Sequence, residues 1–439
     1  MKLANKTLAI LGGTRIDCEI VEAAKNLGVK TVVISYDKIE DSPAKQLADE
    51  SVELSVSDVK AVAEFIHNNN IDGVMVGYSD TLLPWYAEIC ELAGLPCYGT
   101  KEMFELFTNK PLWKAECRRF GVPTAQEYDE EVLDIDESDI AFPLFLKPAR
   151  GSGARGTSVA HDKEELIAAW KKAANVDPDG KVLIEQYLTG AEATVFWLFI
   201  NGEYYVNLLG NRHVKHNQEN TIPLPAGYTF PAKNLPAYLR DIAPNVCKML
   251  ADQGIKNGMM FMQCIIQDGK AYVYDIGYRL TGSLEYRLTK ALSGYSSMDM
   301  LINYAITGNM TEDPEIETKI NKALYAPCFN ISVLMKPGKI EHFDSLEYVE
   351  ESPYTVAAVK AHIEGETLPQ EAKGELRQIA LRILGIAPDT DSMAQIALPL
   401  QDAVDIVSAE GESLKLSGLT QDDFQEMLCE GCGKKCASL

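Results

Sequence analysis

A lysine at the end of an apolar segment is followed by a glycine-rich loop between residues 142 and 160. The segment FPLFL predicts a short strand that ends at Lys147-Pro148, and a second strand is expected from Thr157. Glycines let backbone N–H groups turn towards an anion, and a lysine ammonium supplies a point charge for a phosphate. The loop residues that support this hypothesis are Gly151, Ser152, Gly153 and Gly156.

The spacing around this loop differs from that of a P-loop. No helix is expected directly after it, and the pattern G-x-x-x-x-G-K-[ST] is absent. The sequence therefore indicates a flap between two strands that closes over a nucleotide, with Arg150 and Arg155 keeping the loop positive. Taken alone, the same residues are as typical of a plain hairpin turn.

Three further segments place polar residues next to predicted strands or helices. Thr108-Asn109-Lys110 lies inside a predicted helix over residues 102–120. The segment VLIEQYLTGAEAT, residues 182–194, begins as an apolar strand and continues with acidic, aromatic and glycine residues. The segment AYVYDIGYRLTGS, residues 271–283, is a strand that carries Asp275 and then Arg279.

The order and spacing of these motifs resemble those of the ATP-grasp superfamily, in particular its carboxylate–amine ligase branch. The resemblance covers roughly residues 5–420, with the motifs confined to about 108–283. The implied architecture is similar to that of biotin carboxylase and the carbamoyl phosphate synthase large chain. It is a multidomain α/β and α+β fold with a Rossmann-like N-terminal domain, an ATP-grasp core of two α+β lobes and a small β-rich C-terminal domain.

The resemblance implies a set of ATP contacts. Lys110 and Lys147 are expected on the phosphates, and backbone groups of the hinge at residues 185–188 are expected on adenine. Glu192 is expected on the ribose hydroxyls, although a solvent-facing strand residue would fit its position too. The expected nucleotide-binding residues are Lys110, Lys147, Gly151, Ser152, Gly153, Gly156, Glu185, Gln186, Tyr187, Leu188 and Glu192.

The same resemblance implies magnesium ligands on two adjacent strands. Where the family has two glutamates and an asparagine, this chain has Gln263, Asp275 and Gly277. Magnesium prefers hard oxygen ligands, so Asp275 and the amide oxygen of Gln263 are the expected metal residues. Because two of the three positions lack a charge or a side chain, one ion rather than two is an open alternative. Arg279 matches the arginine expected to stabilise the transferring phosphoryl group, with Lys147.

The implied activity is ATP-dependent ligation. A small-molecule carboxylate would be activated as an acyl phosphate and then attacked by an amine or another nucleophile. Two alternatives stay open. One is an ATP-binding protein with little turnover, because of Gln263 and Gly277. The other is an NAD(P)-linked oxidoreductase, suggested by Gly12-Gly13 and by Asp37 after the second predicted strand, although the full G-x-G-x-x-G is absent.

Composition limits the classes of partner. The chain has 439 residues, 46% hydrophobic and 24% charged, as in a soluble globular protein of several domains. Its formal net charge of −23 disfavours nucleic acid and anionic membranes as partners. No membrane span or signal peptide is expected, and the isolated cysteines predict a cytoplasmic protein without disulfides. The oligomeric state is open, since proteins of this architecture are often homodimers.

The expected domain boundaries follow the motifs. A pre-ATP-grasp domain covers residues 1–105, the ATP-grasp domain residues 106–324 with its flap lobe at about 124–186, and a C-terminal domain residues 325–428. Single helices are predicted over residues 102–120 and 237–253, and a further helix over residues 381–386.

Two groups of residues contain metal-ligand types but can also be interpreted without a metal. Arg212, His213, Lys215 and His216 either line the phosphate side of the cleft or form an exposed loop, and the two histidines alone are too few for zinc. The tail at residues 429–439 carries Cys429, Cys432 and Cys436. Three thiolates are one short of a closed zinc site, and a disordered terminus is the alternative.

Overall fold

A computed structural model describes residues 3–150, 156–217 and 223–425. The N-terminal part is a parallel sheet in the order β3-β2-β1-β4. Three of its strands are apolar runs buried on both faces, as expected where helices cover a parallel sheet, whereas the edge strand β3 is polar and partly exposed. The elements are β1 (Thr7–Leu11), α1 (Cys18–Asn26), β2 (Lys30–Ser35), α2 (Pro43–Leu47), β3 (Glu50–Glu53), α3 (Val59–Asn68), β4 (Gly73–Val76) and α4 (Leu83–Ala93).

Two predicted single helices are each divided in the structure. Residues 102–120 form α5 (Lys101–Thr108) and α6 (Lys110–Arg119), with Asn109 extended between them. The second region forms α8 (Leu235–Asp241) and α9 (Ala243–Asp252). A proline lies in the first turn of α6 and of α9. Because proline lacks an N–H and restricts the preceding residue, it starts a new helix more readily than it continues one.

A small four-stranded sheet forms the predicted flap lobe. Its strands lie in the order β5-β8-β6-β7, and α7 packs on one face. Leu144, Leu146, Leu166 and Ile184 belong to a small hydrophobic core between this sheet and the helix. The elements are β5 (Glu127–Tyr128), β6 (Leu144–Pro148), β7 (Ser158–Ala160), α7 (Lys163–Ala174) and β8 (Val182–Gln186).

An eight-stranded antiparallel sheet is the centre of the molecule. Its order is β13-β12-β9-β10-β11-β14-β18-β16, so it runs without a break from the ATP-grasp region into the C-terminal region. Its strands are β9 (Ala191–Ile200), β10 (Glu203–Lys215), β11 (Leu224–Phe230), β12 (Gly258–Gln267), β13 (Lys270–Gly277), β14 (Cys328–Leu334), β16 (Thr355–Lys360) and β18 (Ile379–Ile386). The helices between β13 and β14 are α10 (Glu285–Ser293), α11 (Ser297–Thr307) and α12 (Ile316–Leu324).

The C-terminal region adds a three-stranded sheet in the order β17-β15-β19. The remaining elements are β15 (Gly338–Asp344), α13 (Leu346–Glu350), β17 (Thr367–Leu368), α14 (Met393–Ala403) and β19 (Asp405–Ser408). The helix predicted over residues 381–386 is wrong, because these residues belong to β18 and pair with both β14 and β16. A short apolar run buried on both faces does not distinguish a helix from a strand by its period. The described helices include none with the length and apolar character that crossing a membrane requires.

Candidate nucleotide site

The small sheet meets the large sheet along β13, where the predicted site residues come together. The main chains are joined there, since the Val273 N–H donates to the Pro123 carbonyl at 2.8 Å. The pairing of β12 with β13 places Gln263 opposite Asp275 and Cys264 opposite Val273, which leaves Tyr274 as the extra residue of a β-bulge. Bulges redirect side chains and interrupt the ladder of backbone hydrogen bonds. This one makes the Tyr274 carbonyl an acceptor for Lys147 Nζ at 3.2 Å.

Lys147 lies beside a second buried lysine that the motifs did not indicate. Glu185 Oε1 is 3.1 Å from Lys147 Nζ and 2.6 Å from Lys114 Nζ. Burial by itself would raise the pKa of Glu185, but the two ammonium groups outweigh it and lower that pKa. Burial lowers the pKa of Lys147, and Glu185 opposes that shift. One carboxylate therefore holds two ammonium groups in place, with Glu127 3.1 Å from Lys114 Nζ as a further partner.

Asp275, a predicted metal ligand, interacts electrostatically with both lysines that are predicted to bind the phosphates. Burial raises the pKa of its carboxyl, and the positive charges of Lys110 and Lys147 oppose that rise. Lys110 is the first residue of α6, and its N–H donates to the Ala149 carbonyl at 3.4 Å. The structure thus brings together Lys110, Lys147 and Asp275, whose first and last members are far apart in the sequence.

The residues at the predicted metal position fit one magnesium ion better than two. Asp275 and Gln263 are cross-strand partners, so a carboxylate and an amide oxygen share one edge of the site. At Gly277 a Cβ atom would overlap the ring of Phe261, so no side-chain ligand fits there. In the described chain, no group of three or more His, Cys, Asp or Glu residues has the arrangement of a metal site. One ion with two protein ligands, completed by phosphate oxygens and water, suits this donor set.

Arg279 is held by the N-terminal part of the chain. Its Nε and Nη2 donate to the two carboxylate oxygens of Asp80 at 2.6 and 2.7 Å, and its Nη1 donates to the Leu280 carbonyl at 2.8 Å. The guanidinium also lies 5.2 Å from the centroid of the Phe261 ring. Burial works against its charge, yet Asp80 offsets this effect and raises the Arg279 pKa. The arginine predicted on the phosphoryl group is therefore pre-positioned by a bidentate pair.

Glu192 belongs to a three-residue network on adjacent strands. Its Oε2 accepts from Tyr274 Oη at 2.8 Å and from Arg212 Nη1. Of the basic cluster in β10, Arg212 and His213 are therefore interior groups, whereas His216 is exposed. The predicted exposed loop therefore describes His216, but it does not describe the buried Arg212 and His213. Lys215 and His213 both pair with Asp423, at 2.6 and 3.5 Å.

In the hinge, the Glu185 side chain and the backbone N–H groups of the residues after it make different contacts. Glu185 directs its carboxylate at the two lysines. The Gln186 N–H donates to the Gln126 carbonyl at 2.9 Å, and the Tyr187 N–H to the Pro143 carbonyl at 3.3 Å. Within the described residues, no such bond takes up the N–H of Leu188. The backbone of Leu188 is therefore the hinge donor best suited to an adenine edge.

The flap loop is described only at its two ends, because Gly151, Ser152 and Gly153, with Arg155, lie outside the described residues. At one end, Gly156 has a φ of +76°, and a Cβ there would lie 2.9 Å from Pro148 Cγ. At the other end, the Arg150 N–H donates to Asp177 Oδ2 at 2.8 Å. Asp177 also accepts from two further backbone N–H groups, so it anchors the loop, a role that no sequence motif indicated.

The N-terminal glycine turn is filled by neighbouring side chains. A Cβ at Gly13 would overlap Ser42 Oγ, and that hydroxyl donates to the Gly13 carbonyl at 2.7 Å. Lys45 Nζ donates to the carbonyls of Ser35 and Asp37. Gly13 is therefore explained by its close packing against Ser42 and Ser35, without a ligand.

The described cysteines agree with the expectation for thiols. Cys18, Cys90, Cys97, Cys117, Cys247, Cys264 and Cys328 are all free. The predicted metal cluster of Cys429, Cys432 and Cys436 lies outside the described residues.

A small sheet that closes on a large antiparallel sheet, with lysines from one and an acidic strand from the other, defines the ATP-grasp fold. The model for the ATP-grasp N-terminal domain matches residues 21–97, and the model for the D-ala D-ala ligase C-terminus matches residues 112–233. These segments and the whole arrangement of sheets are those of ATP-grasp proteins, and the predicted multidomain α/β and α+β fold is confirmed.

Two curated relatives illustrate the range of similar sequences. A formate-dependent phosphoribosylglycinamide formyltransferase of Prochlorococcus marinus is 29% identical over 231 residues, which are 52% of this chain and 55% of the relative. The small subunit of 2-oxoglutarate carboxylase of Hydrogenobacter thermophilus is 26% identical over 393 residues, 80% of each chain. The match to the first of these, and to others with its name, spans about half of the relative's length.

Solved structures agree on the fold. The biotin carboxylase domain of the Hydrogenobacter thermophilus 2-oxoglutarate carboxylase, a dimer in complex with MgADP, ADP and bicarbonate, superimposes with a TM-score of 0.75 at 18% identity, covering 98% of this chain and 97% of that one. An L-amino acid ligase from Bacillus licheniformis superimposes with a TM-score of 0.74 at 21% identity, covering 92% and 99%.

Proposed function

We propose that this protein is an ATP-dependent carboxylate–amine ligase of the cytoplasm. The observation that supports it best is the convergence of Lys110, Lys147 and Asp275 at the junction of the two sheets, because charges of this kind bind and activate a triphosphate. Further support comes from the similar proteins, which include an L-amino acid ligase, a formate-dependent phosphoribosylglycinamide formyltransferase and a 2-oxoglutarate carboxylase subunit.

In the proposed reaction, an oxygen of a substrate carboxylate attacks the γ-phosphorus of ATP and ADP leaves. The resulting acyl phosphate is attacked at its carbonyl carbon by an amine, which loses a proton as inorganic phosphate departs. Lys110 and Lys147 offset the charge of the phosphates, and Arg279, fixed by Asp80, meets the transferred group. Asp275 and Gln263 would hold Mg²⁺, which neutralises phosphate charge when bound. The protein's contribution is positioning and exclusion of water by the flap.

The first experiment measures ADP release from ATP and Mg²⁺ with small carboxylates and amines, singly and in pairs. Release that requires a carboxylate and rises with an amine supports the ligase. Tight ATP binding without any release supports the second candidate, an ATP-binding protein with little turnover. That candidate has its own structural basis, since Phe261 occupies the space in which a side-chain ligand at residue 277 would lie.

A pair of variants separates the two candidates. We expect Gly277→Asn to destabilise the protein by about 1–3 kcal/mol in chemical denaturation, because the new side chain collides with Phe261. The partner change Gln263→Glu adds a carboxylate opposite Asp275 without adding volume. If missing metal charge limits turnover, this variant releases ADP faster than the wild type, and an unchanged rate contradicts that limitation.

Localisation and assembly complete the proposal. The seven free thiols of the described residues support a reducing compartment. A homodimer is the proposed assembly, and its support is the dimer formed by the biotin carboxylase domain of the Hydrogenobacter thermophilus enzyme. Light scattering on the full chain tests it, and a monomeric mass contradicts it.

A further inference from the structure

A second polar pocket lies beyond the nucleotide site, at the start of α10. Glu285 is only 1% exposed, and its Oε2 accepts from Thr281 Oγ1 at 2.6 Å and from Ser283 Oγ at 2.9 Å. Its Oε1 is equally buried and has no hydrogen-bond partner among the described residues. Leu284, in the same turn, has a φ of +60°, a conformation that costs energy for a residue with a side chain.

A second buried acceptor without a partner belongs to the same pocket. Asn330 is fully buried in β14, and its Nδ2 donates to the Ser283 carbonyl, which fixes the loop that carries Glu285. Asn330 Oδ1 has no hydrogen-bond partner among the described residues. Buried polar groups are nearly always hydrogen-bonded, so two unpaired acceptors on segments joined by the Asn330–Ser283 hydrogen bond indicate a missing donor.

The opposite side of the pocket carries a cation. Arg382 in β18 lies directly across from Ser332 in β14, two residues beyond Asn330 and hence on the same face of that strand. Its Nη1 donates to Ser332 Oγ at 3.0 Å. In the described parts of the chain, no carboxylate lies within ion-pair distance of it, and burial lowers the pKa of its guanidinium.

Glu285 and Arg382 affect each other electrostatically without forming an ion pair. Arg382 lowers the pKa of Glu285, although burial is the larger effect and raises it. The elements that carry them, α10 and β18, pack against each other. A charge pair kept apart in the interior is unfavourable for stability, since neither charge is compensated at short range. A ligand with one cationic and one anionic end would compensate both.

We propose that the pocket formed by Glu285, Asn330 and Arg382 binds the ammonium and carboxylate groups of an amino acid. The ammonium has three donors, enough for Glu285 Oε1 and Asn330 Oδ1 together, and a carboxylate accepts two parallel bonds from a guanidinium. Formate has no N–H or O–H donor and bicarbonate has a single O–H, so neither anion could pair with both acceptors, and each would face the charge of Glu285. The inference rests on the proposed function in taking this amino acid as one of the two substrates.

The pocket is connected to the nucleotide site by Arg212. This residue pairs with Glu192 at the nucleotide side, and its charge also acts on Arg382. Glu285 follows Arg279 in the chain after a single loop. Arg212 and the loop between Arg279 and Glu285 therefore link the two groups of residues within the structure.

The experiment measures amino-acid binding by calorimetry on the full chain without nucleotide, using a panel of L-amino acids. At least one is expected to bind, and its N-acetyl and carboxamide derivatives are expected to bind about tenfold or more weakly, since each lacks one charged end. Arg382→Leu is expected to weaken binding about a hundredfold, and Arg382→Lys less. Arg377→Gln, which changes an exposed arginine of the same region, is the matched control with unchanged affinity.

The outcomes separate this proposal from the ligase itself. Amino-acid binding that Arg382→Leu abolishes, with no ADP release under any condition, supports the pocket and contradicts the ligase. Carboxylate-dependent ADP release that is unchanged in Arg382→Leu, or that only formate or bicarbonate supports, keeps the ligase and overturns the pocket. A thermal melt checks folding, and Arg382→Leu is expected to melt no lower than the wild type because it removes an uncompensated charge.

Discussion

Buried charges on the proposed nucleotide side of the cleft have partners within the chain, whereas those on the far side lack them. On the nucleotide side, Glu185 contacts Lys114 and Lys147 at hydrogen-bond distance, so each charge has a partner from the chain itself. On the far side, Glu285 Oε1 and the guanidinium of Arg382 have no such partner in the described chain. The first arrangement is complete without a ligand and positions side chains, whereas the second is complete only with one.

The largest expected effect comes from removing the carboxylate that pairs with the two buried lysines. Glu185→Gln leaves the buried Lys114 with Glu127 as its remaining carboxylate, and it removes the carboxylate that pairs with the buried Lys147. We expect the free energy of unfolding to fall by about 3–5 kcal/mol, as for a buried pair that loses one partner. Chemical denaturation measures it, with Asp241→Asn in the exposed pair with Arg240 as a control expected to leave the free energy of unfolding nearly unchanged. A loss for Glu185→Gln as small as that of the control would contradict the distinction.

A third buried carboxylate, Asp17, extends the comparison because it makes the stability of the protein depend on pH. Asp17 accepts from the N–H and hydroxyl of Thr14 at 2.9 and 2.7 Å, yet burial raises its pKa to about 6. A raised carboxyl pKa means that the folded state binds more protons than the unfolded state between about pH 4 and 6. Stability is therefore lost as pH rises through this window, by about 3 kcal/mol in total, since each pH unit of the window contributes about 1.4 kcal/mol.

Asp17→Asn is expected to remove this contribution while it keeps an acceptor for Thr14. The measurement is the difference between wild-type and variant unfolding free energies across about pH 4 to 7. The difference should grow in favour of the variant up to about pH 6 and stay constant above it. A difference that does not depend on pH would place Asp17 among the compensated charges.

The uncompensated side is expected to respond with the opposite sign to Glu185→Gln. Arg382→Leu replaces a guanidinium that lacks a short-range carboxylate, so stability should stay constant or rise by about 1–3 kcal/mol. Denaturation in urea, without ligand, measures the effect. A clear loss of stability would mean that Arg382 is structural, and the comparison would fail on that side.

The smallest expected effect concerns the ligand. Because burial raises the pKa of Glu285, its carboxylate takes up a proton at higher pH than an exposed glutamate. Thr281 and Ser283 on its own loop and Arg382 on β18 oppose that rise. Amino-acid affinity should decrease several-fold as pH falls through this range, since a protonated Glu285 attracts an ammonium less. In Glu285→Gln the affinity should be lower and independent of pH in the same range, and a retained pH dependence would contradict the role of Glu285.

Local patterns were sufficient for much of the fold. The hairpin of β12 and β13 and the alternation in the N-terminal half follow from period, turn residues and apolar runs, and both are present in the structure. The divided helices were missed although a proline lies in the first turn of both α6 and α9, because an apolar period on each side suggested continuity. Lys114 was also open to prediction, since it lies four residues after Lys110 on one helix face.

The sequence by itself indicated the residues that we propose for nucleotide chemistry, namely Lys147 at a strand end, the glycine-rich loop after it and Asp275 on an apolar strand. Those assignments depend on residue type and short spacing, which are local. Only the tertiary structure decided the partners: Glu185 between two lysines, Asp80 on Arg279, and Glu285 opposite Arg382. The physical reason is that charge compensation in the interior depends on distances between elements remote in sequence, and those distances exist only after the sheets have paired.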